Sequence, residues 1–546
     1  MFLQDVAKQR GVVIGHDHRA LPGLGLSSHQ FARVACLALR ARGFKARLLE
    51  GEVATPLVAF AVRHGNHAAG IMVTASHNPK QDNGYKVYWG NGSQIVPPHD
   101  HGISQCIDEN LEVDAALYTP AKVAAVEVWD GSAALYDAYF AAVKGALCRR
   151  EKLRGDLDNN SHCKIVYTAM HGVGHRWCTR AFEEFGLAPY LAVPEQCAPD
   201  PTFPTVEFPN PEEGAGALEL ATTLAEREGA TIVLANDPDA DRLAVAERQE
   251  DGTWHCFSGN DIGTLLAAWE LQWHKEAHGG AAMPGAVMLA STVSSKMLGA
   301  MARAEGFVFE DTLTGFKWMG TRAANIEQEC RAAGDDSPSG RATRPILFSY
   351  EQAIGFCIGD TVRDKDGVSA AAVFAEMCDA LYASPARNPE GKRVGLLAQR
   401  LDALCRMYGF FKQCDGHFYY KETATIDAIF ARLRNGGNYW HRCGPLKIAG
   451  IRDLTGDGYD SSKVGGVPAL PTSAAHMITY TFEAGGEAGG AVVTLRTSGT
   501  EPKLKYYVEV SAGSSEESSV MAQRVAEIVV AEMLQPEQNG LTKKPQ

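Results

Sequence analysis

The chain lacks the sequence marks of a membrane-spanning, secreted or disulfide-linked protein. No stretch of its 546 residues contains the roughly 18 consecutive apolar residues that a membrane helix needs. Its first residues, MFLQD, have neither the basic region nor the apolar core of a signal peptide. Its 13 cysteines are scattered and include no CxxC pair. Because an odd, dispersed set of thiols is typical of a reducing compartment, we expect a cytoplasmic protein without membrane contact.

Two familiar nucleotide-binding loops are also missing. The G-x-x-x-x-G-K-[ST] pattern of a Walker A loop is absent, and Gly23 and Gly25 are followed by Ser28 where a dinucleotide fingerprint needs its third glycine. The net charge of −13 argues against a nucleic-acid-binding surface, which requires a basic face. Anionic small molecules are compatible with this charge, because local arginine and lysine clusters can set the potential of a cleft.

The pattern of strands and helices predicts several α/β units. At 546 residues with 45% hydrophobic content, the chain is long enough for three or four domains. Apolar runs predict strands that alternate with helices, at residues 11–15, 164–167 and 285–289. The last part instead predicts hairpin-like strands at 477–482 and 491–495 with a helix at 516–533. We expect domains at 1–150, 151–258, 259–400 and 401–546, with a frayed tail from Gln535.

One hydroxyl group stands out at the end of an apolar strand. The predicted strand at residues 70–73 is followed by the run TASHNPK, in which Ser76 precedes an imidazole and an Asn-Pro pair. Proline cannot continue a strand or a helix interior, so this run is expected to form a loop. A hydroxyl on such a loop is well placed to be a nucleophile, although many serines at strand ends only cap or turn.

Three alternate aspartates follow a second buried strand. Alternate side chains of an extended segment point the same way, so we expect Asp237, Asp239 and Asp241 to converge. Oxygen ligands of this kind suit a hard cation, Mg²⁺ or Ca²⁺. A calcium loop of the EF-hand type is excluded, because Arg242 and Arg248 stand where that loop needs glycine and glutamate. The alternative is an acidic turn on the surface.

A basic, glycine-centred turn follows a third strand. The run RTSGTEPK occupies residues 496–503, directly after the strand predicted at 491–495. Exposed backbone N–H groups, hydroxyls and the fork of Arg496 are the groups that bind phosphate oxygens. A plain hairpin turn is the alternative. Together, a nucleophilic hydroxyl, a metal cage and a phosphate-binding turn in one pocket would support phosphoryl transfer, which depends on positioning and charge neutralisation.

These segments, in this order, resemble the α-D-phosphohexomutase superfamily over essentially the full chain. The most similar branch holds the phosphopentomutases that also act on glucose phosphates, together with glucose-1,6-bisphosphate synthase. The run TASHNPKQDNGYKVY at 74–88 resembles its phosphoserine loop, and TLTGFKW at 312–318 and YEQAIG at 350–355 resemble its sugar-binding loops. DLTG at 453–456 and LPTS at 470–473 also match. The resemblance implies four domains around a central cleft: three related α/β units with mixed sheets and a smaller C-terminal α+β domain.

The resemblance also implies a role for each matching residue. Ser76 would be phosphorylated and would share a Mg²⁺ ion with Asp237, Asp239 and Asp241. The catalytic residues would be Ser76, His77, Lys86 and Arg242. The sugar phosphate would be held by Lys317, Glu351, Arg496, Ser498, Gly499, Thr500 and Lys503. Glucose 1,6-bisphosphate, or another sugar bisphosphate, would act as the activator. The alternatives are packing or capping for His77 and a solvated strand position for Lys86.

Several departures from the family pattern bear on activity. The family's F-G-T-A-G-L-R strand, which contains an active-site arginine, normally precedes the strand at 11–15, and this sequence begins after it. We therefore expect an N-terminally truncated first domain with an uncovered sheet edge or core face. Gln352 replaces the second acid of a Glu-Glu pair, and Ala353 stands where hexomutases often have serine. A histidine that some bacterial relatives have just after this loop is not evident, so the identity of the general acid stays open.

The sequence thus predicts a Mg²⁺-dependent phosphosugar mutase. It would move a phosphoryl group through a phosphoserine, between C1 and C5 of a pentose or C1 and C6 of a hexose. One alternative is a glucose-1,6-bisphosphate synthase that uses 1,3-bisphosphoglycerate with the same Ser76. A second alternative, suggested by the missing segment, is a catalytically silent sugar-phosphate-binding protein. We expect small-molecule sugar phosphates as partners, neither nucleic acid nor membrane, and a monomer or weak dimer.

Overall fold

The computed structural model describes residues 2–153, 163–281, 283–337, 339–340, 342–384, 388, 390–484, 489–499 and 501–543. The chain divides into two compact units. The first comprises Met1–Ser294 and Glu305–Leu401, and the second comprises Ser295–Ala304 and Asp402–Gln546. The first unit contains three sheets of four or five strands, and the second contains a larger antiparallel sheet.

The N-terminal layer of the first unit is built around a fully buried strand. Its elements are α1 (Phe2–Arg10), β1 (Val12–His16), β2 (Ala20–Leu21), β3 (Leu26–Ser27), α2 (Ser28–Ala41), β4 (Ala46–Leu48), α3 (Thr55–His64), β5 (Ala69–Val73), β6 (Tyr85–Trp89), α4 (His99–Asp108), α5 (Pro120–Ala124), α6 (Ser132–Leu147) and α7 (Arg150–Leu153). The order is β4-β1-β5-β6, in which β4, β1 and β5 are parallel and β6 is antiparallel. Because β1 is buried along its length, its branched apolar residues lie between the helices that cover both faces. The loop after β5 therefore begins at the carboxyl edge of parallel strands, where ligand sites of α/β sheets form.

The middle layer of the first unit positions the aspartate triplet. Its elements are β7 (Ile165–Thr168), α8 (Gly174–Phe185), β8 (Leu191–Ala192), α9 (Glu219–Glu228), β9 (Ile232–Ala235), β10 (Ala244–Arg248) and β11 (Trp254–Cys256). The order is β11-β10-β9-β7-β8, and β7 and β9 are parallel and buried along their whole length. Helices α8 and α9 end at Gly186 and Gly229, which both have the left-handed backbone (φ 66°) that glycine adopts without a Cβ clash.

The third layer repeats this arrangement. Its elements are α10 (Gly259–Ala277), β12 (Val287–Ser291), β13 (Val308–Thr312), α12 (Phe316–Ala332), β14 (Ile346–Glu351), β15 (Gly355–Ile358) and α13 (Gly367–Ala383). Between β12 and β13 the chain forms α11 (Met297–Glu305), nearly all of which belongs to the second unit. The order is β13-β12-β14-β15, with only β15 antiparallel. Ser258 and Asp261 form a reciprocal capping box that starts α10, and the Asp366 carboxylate accepts two backbone N–H groups at the start of α13.

The C-terminal part is an antiparallel sheet covered by two helices. Its elements are α14 (Leu396–Tyr408), β16 (Phe410–Tyr419), α15 (Thr423–Arg434), β17 (Arg442–Cys443), β18 (Leu446–Asp453), β19 (Tyr459–Asp460), β20 (Met477–Phe482), β21 (Val492–Thr497), β22 (Lys503–Ala512) and α16 (Ser515–Val529), followed by a π-helical turn, Val530–Leu534. The order is β16-β22-β21-β20-β18-β17, and β19 pairs with β18. Alternate residues of β20, β21 and β22 share one apolar core with α15 and α16.

These elements confirm the predicted fold class of three related α/β units with mixed sheets and a smaller α+β unit. The strands predicted at 11–15, 164–167, 285–289, 477–482 and 491–495 all have an observed counterpart within two residues of the expected bounds. The four domain boundaries and the central cleft stay predictions.

The prediction that the tail frays from Gln535 is wrong for residues 535–543. Thr542 and Tyr419 exchange two backbone hydrogen bonds of 2.7 and 3.0 Å, so the tail pairs with the end of β16. Leu541 is buried in the same apolar core as α15 and α16. Burying one leucine contributes about 2 kcal/mol, which offsets the entropy of ordering a short segment.

Candidate active site

Ser76 lies in the loop between β5 and β6, as the sequence predicts. Its backbone has a φ of 51°, a left-handed conformation that is uncommon for a residue other than glycine. Its amide donates to Thr74 Oγ1 over 2.9 Å, which stabilises the turn. Its hydroxyl donates to Asp237 Oδ2 over 2.9 Å and lies 3.2 Å from His77 Nδ1. The hydroxyl, the imidazole and the first aspartate therefore meet at one point.

The loop around Ser76 is held by Arg19, a buried residue that the sequence reasoning missed. The two terminal guanidinium nitrogens donate to the carbonyl oxygens of Ser76 (2.6 Å), Asn78 (2.6 Å), Pro79 (2.8 Å) and Asp82 (3.3 Å). The Arg19 side chain is 1% exposed, and Asp17 Oδ2 lies 3.5 Å from its Nε. The available signal was position: Arg19 follows β1, and the parallel strands β1 and β5 end at the same sheet edge.

Asp237, Asp239 and Asp241 converge, but not for the reason the sequence suggests. Their oxygens lie within 4.8 Å of one another, and all three side chains are fully buried. The segment is a turn instead of an extended strand, and Ala240 has a φ of 54°. Asp237 Oδ1 accepts the amides of Asp241 (3.1 Å) and Arg242 (3.0 Å), which closes the turn around the carboxylates.

The donor set of this turn fits a hard divalent cation. Among the described residues, Asp239 Oδ1 and Asp241 Oδ1 are buried and accept no hydrogen bond. Carboxylate oxygens left in this way are costly unless a cation binds them. Burial and the neighbouring carboxylates raise the pKa of Asp237 well above its usual range, and a bound cation would oppose this effect. Oxygen-only ligands favour Mg²⁺ or Ca²⁺ over softer metals.

Lys86 supplies the nearest positive charge to the aspartates. Its Nζ donates to Asp239 Oδ2 over 2.7 Å and to Asp241 Oδ2 over 2.6 Å. Burial opposes the charged form, but the attraction of the two carboxylates prevails and raises the pKa of Lys86 above its usual range. Thr55 Oγ1 also donates to Asp239 Oδ2 over 2.6 Å. A solvated strand position for Lys86 is therefore wrong.

A second lysine, Lys365, contacts the triplet and was also missed by the sequence reasoning. Its Nζ lies 3.2 Å from Asp241 Oδ2 and 3.4 Å from Asp364 Oδ1. Asp364 in turn accepts hydrogen bonds from Tyr88 (2.6 Å) and Gln94 (2.7 Å). Lys365 thus brings a second positive charge to the triplet, and Asp364 shares that charge.

Arg242 and His77 lie beside this cluster, as predicted. Arg242 Nη1 donates to Glu212 Oε2 over 3.2 Å, and its Nε lies 3.9 Å from Asp241 Oδ1. Burial, with a smaller contribution from Arg242, lowers the pKa of His77 to about 2. The His77 ring is therefore neutral near pH 7 and can accept a hydrogen bond at one nitrogen.

The expected sugar-binding loops lie next to Arg242 in the first unit. Arg242 forms a β-bridge with Gly355, and the Leu243 amide donates to the Ile354 carbonyl over 3.1 Å. Glu351 Oε1 accepts the amide of Gly315 over 2.6 Å, so the YEQAIG and TLTGFKW loops touch.

Two further side chains of these loops have defined contacts. Lys317 Nζ lies 5.7 Å from the centroid of the Trp318 ring. Gln352 Oε1 accepts from the hydroxyls of Ser291 (3.3 Å) and Ser294 (3.2 Å), so the amide that replaces a family acid is bound within the third layer.

The basic turn belongs to the second compact unit and connects β21 to β22. Ser498 N donates to the Lys503 carbonyl over 2.8 Å, which closes the turn, and a Cβ added at Gly499 would meet open space. Arg496 extends over the Tyr507 ring, and Lys503 Nζ pairs with Glu501 over 2.6 Å. The segment is thus a hairpin turn with two cations. Thr500 lies outside the described residues, and a common pocket for this turn and Ser76 stays a prediction.

Sequence comparisons relate this chain to known sugar-phosphate enzymes. Residues 1–114, 137–252 and 258–388 match, in order, the alpha/beta/alpha domains I, II and III described for phosphoglucomutase/phosphomannomutase. The chain is 46% identical to the phosphopentomutase of Mus musculus, over 92% of this chain and 77% of the mouse protein. It is 41% identical to the glucose 1,6-bisphosphate synthase of Pongo abelii, over 98% of this chain and 82% of that protein.

A solved structure supports the fold. A phosphoglucomutase/phosphomannomutase family protein from Burkholderia thailandensis superimposes with a TM-score of 0.60 at 19% identity, covering 97% of this chain and 93% of the other. Among the described residues, no helix combines the length and the apolar character required to cross a bilayer.

Proposed function

Because this chain belongs to the phosphoglucomutase/phosphomannomutase family, we propose that Ser76 carries the phosphoryl group of a Mg²⁺-dependent mutase reaction. The chain is a phosphosugar mutase, an isomerase that moves a phosphoryl group within one sugar phosphate. The transfer would connect C1 and C5 of a pentose or C1 and C6 of a hexose. The likeness to phosphopentomutase over most of both chains supports a pentose phosphate as one substrate.

One observation carries the proposal. The Ser76 hydroxyl donates to Asp237 Oδ2 over 2.9 Å, at the edge of three buried carboxylates, two of which Lys86 contacts. Phosphoryl transfer needs a nucleophile with compensating positive charge within a few ångströms, and little additional chemistry. The left-handed backbone of Ser76 and the four hydrogen bonds from Arg19 to its loop fix the hydroxyl before substrate binds.

The proposed reaction has two phosphoryl transfers, and both take place at Ser76. The phosphoserine Oγ–P bond breaks as a bond forms from phosphorus to the free hydroxyl oxygen of the sugar phosphate, which gives a bisphosphate. The proton of that hydroxyl passes to a neighbouring base, and the Ser76 oxygen that leaves phosphorus takes up a proton. His77 Nδ1, which lies 3.2 Å from Ser76 Oγ, is beside this leaving oxygen. After the bisphosphate reorients, its other phosphoryl group returns to Ser76. Lys86 and Arg242 offset the charge of the group in transit.

The metal site would be formed by Asp237, Asp239, Asp241 and an oxygen of phosphorylated Ser76. When bound, Mg²⁺ would neutralise charge on the phosphoryl oxygens and so make the phosphorus easier to attack. The two carboxylate oxygens that accept no hydrogen bond among the described residues support this assignment.

The remaining assigned residues would bind the substrate. Glu351 and Lys317 would hold the sugar hydroxyls. The phosphate that is not reacting would be held by Arg496, Ser498, Gly499, Thr500 and Lys503. Glucose 1,6-bisphosphate or a related bisphosphate would be the activator. The partners would be small sugar phosphates, for a monomer or weak dimer in the cytoplasm.

A second candidate is a bisphosphate synthase. The likeness to glucose 1,6-bisphosphate synthase, at 41% identity over nearly the full chain, favours considering it. In this reaction Ser76 would receive its phosphoryl group from 1,3-bisphosphoglycerate and pass it to glucose 1-phosphate. The site near Ser76 serves both reactions equally.

A parallel assay separates the candidates. The purified chain is given ribose 1-phosphate, glucose 1-phosphate with glucose 1,6-bisphosphate, or glucose 1-phosphate with 1,3-bisphosphoglycerate, each with and without Mg²⁺. A mutase forms ribose 5-phosphate or glucose 6-phosphate, only with Mg²⁺. Accumulation of glucose 1,6-bisphosphate from 1,3-bisphosphoglycerate, without isomerisation, would favour the synthase. No product in any arm would favour a silent sugar-phosphate-binding protein.

A further inference from the structure

The Ser76 loop depends on one buried guanidinium, and a ring from the middle layer covers that guanidinium. Arg19 donates four hydrogen bonds to carbonyls of the loop. The guanidinium carbon of Arg19 lies 5.2 Å from the centroid of the Phe203 ring. The side chain of Arg19 is 1% exposed, and Phe203 as a whole is 4% exposed. Each therefore depends on the other for much of its packing.

The Nε side of the Arg19 guanidinium has only weak polar contacts with the described residues, so the Phe203 ring is its main support there. Among the described residues, Arg19 Nε makes no hydrogen bond, and its ion pair with Asp17 has a separation of 3.5 Å. Attraction between a cation and the face of an aromatic ring is strongest where water is excluded, as it is here. The Phe203 ring also meets the rings of His18 (5.3 Å) and His171 (6.4 Å) edge-on, so it is fixed on more than one side.

The backbone of Phe203 is strained in the conformation that places its ring there. Its φ is 47°, which a bulky residue rarely adopts. The segment is fixed by the amide of Asp200, which donates to the His171 carbonyl over 2.9 Å, and by the amide of Phe203, which donates to the Asp200 carbonyl over 3.2 Å. His171 is itself left-handed, with a φ of 61°. Strain of this kind persists only where the surroundings over-determine it, and it concentrates at functional sites.

We infer that Phe203 is a positioning residue for phosphoryl transfer: its ring holds the Arg19 guanidinium in register with the Ser76 loop. The inference rests on the proposed role of Ser76. Phe203 acts through Arg19, so its loss should slow the transfer without weakening the capture of sugar phosphate by residues that it does not touch.

Three variants of the full chain test this inference. Phe203→Leu keeps an apolar side chain and removes the ring face, whereas Phe203→Tyr keeps the ring. Phe257→Leu is the matched control, because Phe257 is a phenylalanine of similar burial (5% exposed) that directly follows β11 and has none of the assigned site roles. Each variant is incubated with glucose 1,6-bisphosphate to follow phosphoryl uptake by Ser76. Steady-state kcat and KM are measured, and hydrogen exchange is followed in residues 74–84.

We expect Phe203→Leu to lower the rate of uptake and kcat by roughly 10- to 100-fold, because small misplacements of reacting groups are costly. KM should change less than about twofold, exchange in the loop should rise, and Phe203→Tyr should restore most of the rate. Phe257→Leu should change thermal stability alone.

Equal loss of rate in Phe203→Leu and Phe257→Leu would overturn the inference, as would loop exchange unchanged by Phe203→Leu. Failure of Phe203→Tyr to restore the rate would do the same. If the unchanged chain takes up no phosphoryl group, the proposed function fails and the inference fails with it.

Discussion

At the scale of single residues, the stability of the site depends on how the charges of its buried carboxylates are compensated. Three fully buried aspartates share one turn, and Lys86 bridges two of them with hydrogen bonds of 2.7 and 2.6 Å. Buried carboxylates are stable only when paired or bound to a cation. Lys86 and a divalent cation therefore supply the same kind of stabilisation to Asp239 and Asp241.

The substitution Lys86→Met should make stability depend on Mg²⁺. Removing one partner of a buried ion pair costs about 3–5 kcal/mol, because the other charge is left uncompensated. Added Mg²⁺ binds the native triplet and should recover much of this loss. The measurement is the thermal unfolding midpoint with and without Mg²⁺. Lys80→Met, an exposed change in the loop before β6, is the control and should follow the unchanged chain. An identical Mg²⁺ response in both variants would contradict the account.

The sequence identifies some of these residues and not others. Ser76 and the three aspartates stand out because their residue types and spacing suggest a chemistry. Arg19, Lys365 and Phe203 do not, because their roles depend on contacts between distant parts of the chain. Thr55 and Asp239, for example, form a hydrogen bond although they are 184 residues apart in sequence, and no local sequence pattern predicts it.

At the scale of elements, a buried carboxylate anchors the helix that leads into the second unit. Glu247, on β10, accepts the amides of Leu397 (2.7 Å) and Ala398 (3.0 Å) at the start of α14. It also accepts the Tyr382 hydroxyl over 2.6 Å. The carboxylate thus satisfies helix N–H groups that have no partner within α14 and interacts favourably with the helix dipole.

The substitution Glu247→Gln should loosen α14 and lower stability. The amide keeps one acceptor but loses the charge and places a donor near the helix N–H groups, which costs about 1–3 kcal/mol. Hydrogen exchange in residues 396–408, together with the unfolding midpoint, measures the effect. Glu250→Gln is the control, because Glu250 is exposed and its described ion pair is with Lys392 at the surface. Faster exchange in the control than in Glu247→Gln would argue against the anchoring role.

Elements were predictable where burial dominates local sequence. Strands such as β1, β7 and β20 are apolar runs bounded by turn residues, and their positions follow from that pattern. The predicted extended conformation of residues 237–241 is wrong, because the left-handed backbone of Ala240 depends on tertiary contacts instead of an amino-acid preference. The predicted fraying of the tail after 535 is wrong for a related reason, because the pairing of Thr542 with Tyr419 is entirely non-local.

At the scale of the whole molecule, the first unit buries two carboxylates around one arginine, away from the Ser76 cluster. Arg149 Nη2 lies 3.3 Å from Glu270 Oε2, and the Arg149 amide donates to Glu376 Oε1 over 2.8 Å. Glu270 lies on α10 and Glu376 on α13, so the group ties two helices to the segment after α6. Burial raises the pKa of each glutamate from 4.5 to about 7.

The stability of the first unit should therefore fall as pH rises from about 4.5 to about 7. Between about pH 4.5 and 7 the two glutamates keep their protons in the folded state but have released them in the unfolded state. Raising the pH through this range therefore lowers the free energy of unfolding, and above it no further loss is expected from this pair. In Glu270→Gln, one ionisation is removed. The variant should exceed the unchanged chain by about 1–3 kcal/mol at pH 8 and match it near pH 5.

Unfolding measured by urea at several pH values checks this prediction. Glu276→Gln, an exposed change on the same helix, is the control and should keep the pH dependence of the unchanged chain. A pH profile that Glu270→Gln leaves unaltered would show that the buried pair does not govern it.

The central claim is that Ser76 accepts and donates the phosphoryl group, and mass spectrometry tests it most directly. The purified chain and its Ser76→Ala variant are incubated with glucose 1,6-bisphosphate and Mg²⁺, and the intact masses and phosphopeptides are recorded. The account predicts one added phosphoryl group, located on Ser76, that disappears when ribose 5-phosphate or glucose 6-phosphate is supplied and never forms on the variant. A phosphoryl group on another residue, or isomerisation of sugar phosphates by the Ser76→Ala variant, would contradict it.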